Sequence, residues 1–128
     1  MLLLDTCAFL WLAADQSKLS AEAKELIERE SGDLVLSSIS AFEIAVKHRK
    51  GKLRLPREPR EWVPLALHHH GVSEVPVDSR IAIRSCELPP LHSDPADRLI
   101  VATAQLEGLE ILTPDDKIAA YPEVIVRW

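Results

Sequence analysis

Two aspartates three residues apart, Asp94 and Asp97, open the stretch HSDPADRLIVATA. Further acids stand in comparable surroundings: Asp5 closes LLLD, Glu43 lies in SSISAFEI, and Asp115 and Asp116 follow EILTP. Carboxylates crowded at low dielectric repel one another, and something must neutralise them. Oxygen donors without thiolates or a histidine pair favour Mg²⁺ or Mn²⁺ over Zn²⁺. An ion held this way acidifies water and stabilises developing charge, which is the chemistry of metal-assisted hydrolysis. Each acid also has a structural explanation. Ser40 and Glu43 fit a capping box, Asp94 fits an N-cap with Pro95 at the first helical position, and Thr113 fits a cap with Pro114 and Asp116 behind it. Acids in a first turn also oppose the helix dipole. What favours the chemistry is the apolar setting. Six of the eight residues of LIVATAQL after Arg98 are apolar. Asp94 and Asp97 therefore share one face at the end of a helix that is buried on most sides.

The elements that must position these acids follow from the alternation of short apolar runs with longer helical patterns. Residues 2–5, 34–37, 73–77, 110–113 and 124–126 read as strands. Helical patterns cover about 7–14, 20–30, 40–50, 59–70, 79–86 and 95–107, with a short one near 114–120. Strands that are apolar throughout, alternating with helices, predict an α/β fold: a three-layer α/β/α sandwich around a mainly parallel sheet of about five strands. Ligands of such sheets bind outside the carboxyl ends of the strands, where Asp5, Glu43, Asp115 and Asp116 fall. No repeat, low-complexity tract or internal boundary interrupts residues 1–128, which read as a single domain.

Composition narrows the class. The chain is 47% hydrophobic and 27% charged, and no run reaches the roughly 18 apolar residues of a membrane span. MLLLDT is too short and uncharged for a signal peptide, so a soluble cytoplasmic protein is expected. Cys7 and Cys86 are too few for a disulfide framework and form no CxxC pair. The net charge of −5 argues against indiscriminate adhesion to nucleic acid, yet KHRKGKLR places Lys47, Arg49, Lys50, Lys52 and Arg54 within eight residues. That segment is either a local basic surface or a solvated helix end whose cations complement the dipole. His68, His69 and His70 are adjacent, so on a helix they diverge; with Gly71 behind them they read as a helix terminus rather than a metal site. His92 reads as a loop residue close to the acids. Aromatic residues make up only 5% of the chain, so any single-strand recognition would rest on shape and phosphates more than on stacking.

Taken in order, LLLDTCAFLWL, LSSISAFEIAVKHRKGKLRLP, LPPLHSDPADRLIVATA and ILTPDDKIAAYPEVIVRW resemble the successive signatures of the PIN-domain ribonucleases, specifically the VapC-type toxins of bacterial and archaeal toxin–antitoxin systems. The likeness spans nearly the whole chain. It implies a PIN fold with an acidic pocket for Mg²⁺ or Mn²⁺ formed by Asp5, Glu43, Asp97 and Asp115, with Asp115 preferred to Asp116 on the Thr-x-Asp spacing alone. It implies that Thr6 and Thr113 orient acids and that Asp94 is an N-cap or supporting acid. Cys7 stands where the family more often has Ser, and Ala96 where it has a bulkier residue. The activity implied is endoribonucleolytic hydrolysis of single-stranded or loop RNA by metal-activated water, leaving a 5′-phosphate and a 3′-hydroxyl, with Lys47 and Arg49 guiding the RNA backbone. The partners implied are RNA, a cognate antitoxin whose arm places an Arg or Lys among the acids, and a second copy in a homodimer, for which VIVRW and Trp62 are either surface or core. Two other classes compete. A receiver-type phosphoacceptor domain needs an aspartate at the end of a central strand, where LVLSS has serines. A non-catalytic PIN-like module binding RNA or protein would not need all four acids.

Overall fold

The computed structural model describes residues 1–128. Its strands are β1 (Leu2–Leu4), β2 (Leu34–Ser37), β3 (Val72–Val75), β4 (Glu110–Leu112) and β5 (Val126–Arg127). Its helices are α1 (Thr6–Ala14), α2 (Ala21–Arg29), α3 (Ser38–Arg49), α4 (Pro59–His70), α5 (Ser79–Glu87), α6 (Pro95–Glu107) and α7 (Asp116–Ala119), with a 3₁₀ turn at Gln16–Lys18. The five strands form one sheet in the order β3-β2-β1-β4-β5, parallel throughout.

Alternate side chains of each strand leave opposite faces, so a strand covered on both sides is apolar at every position. Leu2 and Leu4 of β1, Leu34 and Leu36 of β2 and Leu112 of β4 pack with Phe9, Ile44, Trp62 and Val63 on one face. Leu3, Val35 and Ile111 pack on the other with Ile81, Ile100, Val101, Ile118 and Tyr121. The result is the three-layer α/β/α sandwich that the strand pattern predicts. Leu3, Leu4 and Phe9 are completely buried, and truncating such side chains to alanine costs about 2–5 kcal/mol.

The chain builds the sheet outward from β1 through β2 to β3, then returns to the other side of β1 with β4. Adjacent strands thus lead away in opposite directions between β1 and β4, which opens a crevice at their carboxyl ends. The ladder continues one step past the strands, where Asp5 N donates to Leu112 O at 3.1 Å. Asp5 and Thr113 are brought side by side in this way although 108 residues separate them.

Two helix starts differ from the sequence reading. β2 runs directly into α3, whose cap is Ser37, with Oγ accepting from Ile39 N at 3.2 Å; Ser40 and Glu43 lie a turn further in and form no capping box. α7 is capped by Asp115 rather than Thr113. The three histidines are the last turn of α4, which ends at Gly71 with φ 63°. Trp62 is core, in edge contact with Phe9 at 6.1 Å, and Trp128 packs on Trp11 at 5.6 Å. No helix is long and apolar enough to cross a membrane.

Candidate active site

Three helices start at the crevice with an aspartate as N-cap, and each cap occupies one carboxylate oxygen. Asp5 Oδ1 accepts from Ala8 N at 2.7 Å, Asp94 Oδ1 from Ala96 N at 3.0 Å, and Asp115 Oδ1 from Lys117 N at 2.8 Å. The structural and chemical explanations of these acids are therefore compatible: capping fixes the carboxylate through Oδ1 and leaves Oδ2 for other partners.

Thr113 donates to Asp5 Oδ2 at 2.5 Å, and its own Oγ1 accepts from Asp115 N at 3.1 Å. One hydroxyl thus ties together two acids from opposite ends of the chain. Thr6 Oγ1 lies 2.5 Å from Glu43 Oε1 and 2.8 Å from Ser40 Oγ. A hydroxyl has one proton and a carboxylate only accepts, so Thr6 gives its proton to Glu43 and Ser40 supplies its own to Thr6. Asp97, in the first turn of α6, has Oδ2 2.7 Å from His92 Nε2, which is also 4.0 Å from Asp115 Oδ2.

Electrostatics join these residues into one cluster. Asp5 is pushed up to about 6, first by burial and further by Asp115 and Glu43, against the lowering effect of Thr113 and Ala8 N–H. Asp97 is likewise pushed up to about 6, first by burial and then by Asp94, with Glu43 adding to it and His92 opposing. Burial also raises the Cys7 thiol, with Asp5 next in effect, so the thiol at this position stays protonated. No lysine or arginine forms an ion pair with Asp5, Glu43, Asp94, Asp97 or Asp115. Carboxylates held at low dielectric without a compensating cation are a donor set that fits a divalent metal ion.

Three donors come within 4.8 Å of one another, His92, Asp94 and Asp97; of the four acids expected to hold the ion, only Asp97 is in this group, and Asp5, Glu43 and Asp115 are not. His92 is thus a member of the site and not merely a loop residue. Its position is fixed by Arg98, which turns away from the acids. Arg98 Nη1 donates to Pro89 O, His92 O and Tyr121 Oη at 2.9, 3.2 and 3.2 Å, and Nη2 donates to Ser85 O and Leu88 O, each at 2.9 Å. Tyr121 Oη, almost fully buried, donates to the same His92 carbonyl at 3.3 Å. The only hint of this clamp in the sequence is an arginine followed by an apolar run.

Of the two cations expected to meet RNA, Lys47 lines the groove that begins at Glu43 and Asp94. Arg49 lies elsewhere, in a depression with His48, Glu58 and Arg60. Two residues along a helix turn the side chain by roughly 200°, which separates them.

The PIN domain family profile matches residues 2–124. Ribonuclease VapC22 of Mycobacterium tuberculosis is 30% identical over 129 residues, covering 98% of this chain and 97% of the relative. Among solved structures, VapBC2 from Rickettsia felis bound to a promoter DNA fragment aligns with a TM-score of 0.72 at 15% identity, covering 99% of this chain and 98% of that one. A toxin–antitoxin complex from Klebsiella pneumoniae aligns with a TM-score of 0.66 at 24% identity, over 98% and 96%. These two share the fold, while the profile and the full-length relative place the sequence. The chain belongs to the PIN-domain family, among its VapC-type ribonucleases.

Proposed function

We propose that this protein is a divalent-metal-dependent endoribonuclease and the toxin of a toxin–antitoxin pair, with the whole activity carried by a single unit over residues 1–128. The observation that carries this reading is the gathering of Asp5, Glu43, Asp97 and Asp115 at the carboxyl edge of the sheet with no lysine or arginine paired to any of them and only His92 beside Asp97 and Asp115. A bound Mg²⁺ or Mn²⁺ would neutralise the acids, acidify the attacking water and stabilise the charge that grows on the phosphate.

The chain's own residues do the rest. Asp5 and Asp97 would hold the ion, and Glu43 and Asp115 would hold a second one or orient the attacking water. Thr113 fixes the rotamer of Asp5, Thr6 that of Glu43, and His92 that of Asp97. Asp94 caps α6 and keeps the first turn carrying Asp97 in place. Lys47, one turn along α3 from Glu43, meets the RNA backbone; Arg49, in its separate depression, does not.

The likeness to chains solved in toxin–antitoxin complexes supports a protein partner that silences the site. An arginine from that partner suits the pocket, because a guanidinium binds carboxylates bidentately and would replace the ion's charge. The family resemblance also supports a homodimer, with Trp62 and Trp128 serving the protomer core rather than the interface.

Purified protein incubated with a mixed RNA pool tests the reading. Cuts with Mg²⁺ or Mn²⁺ that bear 5′-phosphates and vanish in EDTA are expected. Cutting that persists in EDTA, or 2′,3′-cyclic phosphate ends, would contradict it.

A further inference from the structure

Phe42 is the one exposed aromatic side chain, 64% accessible, whereas Phe9, Trp62 and Tyr121 are buried and Trp11 and Trp128 shelter each other. A single exposed apolar residue is ordinary on any protein surface. The surroundings of Phe42 are not. It lines a groove of about 360 Å³ along α3, with Ile39 and Val46 as apolar neighbours and Lys47, Lys50 and Lys52 as its cations. None of these three lysines has an acidic partner. The start of α6 lines it as well, and two of its lining residues, Glu43 and Asp94, belong to the acidic cluster, so the groove and the cluster share a border.

We infer that this groove is the track of the single-stranded RNA substrate, with one base stacked on Phe42 and successive backbone phosphates on Lys47, Lys50 and Lys52. The inference rests on the nuclease reading and adds to it the path of the strand and the side chain that grips a base. Unpaired nucleic acid asks for two things: a flat apolar face for a base and cations for the phosphates. The groove supplies both, Phe42 and Lys47 from α3 and Lys50 and Lys52 from the turn that follows it. The charge distribution favours a polyanion here specifically. The chain is −5 overall, yet five of its 15 Lys and Arg residues fall within residues 47–54. Phosphates entering an acidic centre are repelled by it, and lysines one and two turns along α3 from Glu43 offset that repulsion where the strand must pass. An acidic peptide would also be drawn to these lysines, but nothing requires it to reach Glu43 and Asp94. A base already paired in a duplex offers no free face to Phe42, which restricts the substrate to unpaired segments.

The test uses the full chain carrying Asp97→Asn to block turnover, and a mixed-sequence single-stranded RNA containing 2-aminopurine. Binding is expected to change the 2-aminopurine fluorescence by stacking. Phe42→Leu should abolish that signal and raise Kd about tenfold, and Phe42→Tyr should retain both. Lys50→Ala and Lys52→Ala should each weaken binding and lower the slope of log K against log salt by roughly 0.7. Because Phe42, Lys50 and Lys52 are exposed, circular dichroism of these variants should match that of the parent. Wild-type affinity and stacking signal in both Phe42→Leu and Lys50→Ala would overturn the track. If Phe42→Leu instead dissociates a dimer without affecting RNA, the groove joins two copies of the chain, and the inference fails. In either case, metal-dependent cutting by the wild type would leave the nuclease reading standing. A wild type that neither binds nor cuts RNA would end both.

Discussion

His92 and Asp97 face each other at the mouth of the acidic cluster, Nε2 2.7 Å from Oδ2, one from the loop before α6 and the other from its first turn. At neutral pH the carboxylate only accepts, so Nε2 carries the proton and the imidazole fixes one Asp97 oxygen while leaving the other free. Residues that orient a metal-binding carboxylate matter nearly as much as the carboxylate itself. Replacing His92 by Ala should weaken Mn²⁺ binding by about 10- to 100-fold with the fold unchanged. His92→Gln, which keeps an N–H donor, should recover part of the loss. A Mn²⁺ titration of the three proteins checks this, and equal affinities would remove His92 from the site.

Crowding of the acids makes the metal-free protein sensitive to pH. Between about pH 4 and 6 the folded chain keeps protons on Asp5 and Asp97 that the unfolded chain has released. The stability they contribute is fully present below the unfolded value of 3.8 and is lost as pH rises through about 6. The raised pKa of Asp5 alone corresponds to about 3 kcal/mol. Thermal melts in EDTA should therefore show Asp5→Asn losing less stability than the wild type between pH 5 and 7.5. Added Mg²⁺ should stabilise the wild type most at the higher pH. Parallel pH profiles for the two proteins would contradict the assignment.

Thr113 links Asp5 to Asp115, and its hydroxyl lowers the Asp5 pKa against the effect of burial. Thr113→Val keeps the shape and removes the donor. The pH at which Mn²⁺ binding is half-lost should move upward, and stability should fall by about 1–3 kcal/mol from the unpaired groups left behind. Thr113→Ser should behave nearly as the wild type. Binding measured across pH for the three proteins distinguishes an orienting hydroxyl from a packing methyl, since Val preserves the packing.

Arg98 follows Asp97 directly, yet its hydrogen bonds all go to the end of α5, the loop before α6 and Tyr121. Its guanidinium binds four carbonyl oxygens and the Tyr121 hydroxyl, and a lysine lacks the planar fork needed to reach them together. Arg98→Lys should cost about 3 kcal/mol and lower Tm by roughly 10 °C. It should also loosen His92 and so weaken Mn²⁺ binding. A loss of stability with metal affinity intact would show that the clamp holds the fold without positioning the histidine.

The strands and helices were legible because their signals are local: unbroken apolar runs for β1, β2 and β4, proline at the start of α4 and α6, and glycine after their ends. The strand pattern brings Asp5, Glu43 and Asp115 to one edge of the sheet, but the orienting role of Thr113 is implied only by the family likeness, since the pairing of β1 with β4 depends on contacts more than a hundred residues apart. Ser40 and Glu43 misled as a capping box because S-x-x-E looks the same at a helix start and one turn inside it. What distinguishes the two is the Thr6 hydroxyl, which comes from another helix. Lys47 and Arg49 looked like one basic patch because a linear count ignores the turn of the helix between them. His92 reads from sequence only as a loop residue close to the acids, because periodicity carries no information about how a loop folds, and here the loop is held by Arg98 and Tyr121.

The most direct test of the central claim compares wild type with Asp97→Asn on the same RNA pool in Mg²⁺, with Mn²⁺ affinity measured alongside. The wild type should cut, and the folded variant should neither cut nor bind the ion tightly. Cutting at the wild-type rate by Asp97→Asn would mean that the acids at this edge serve the fold and nothing more.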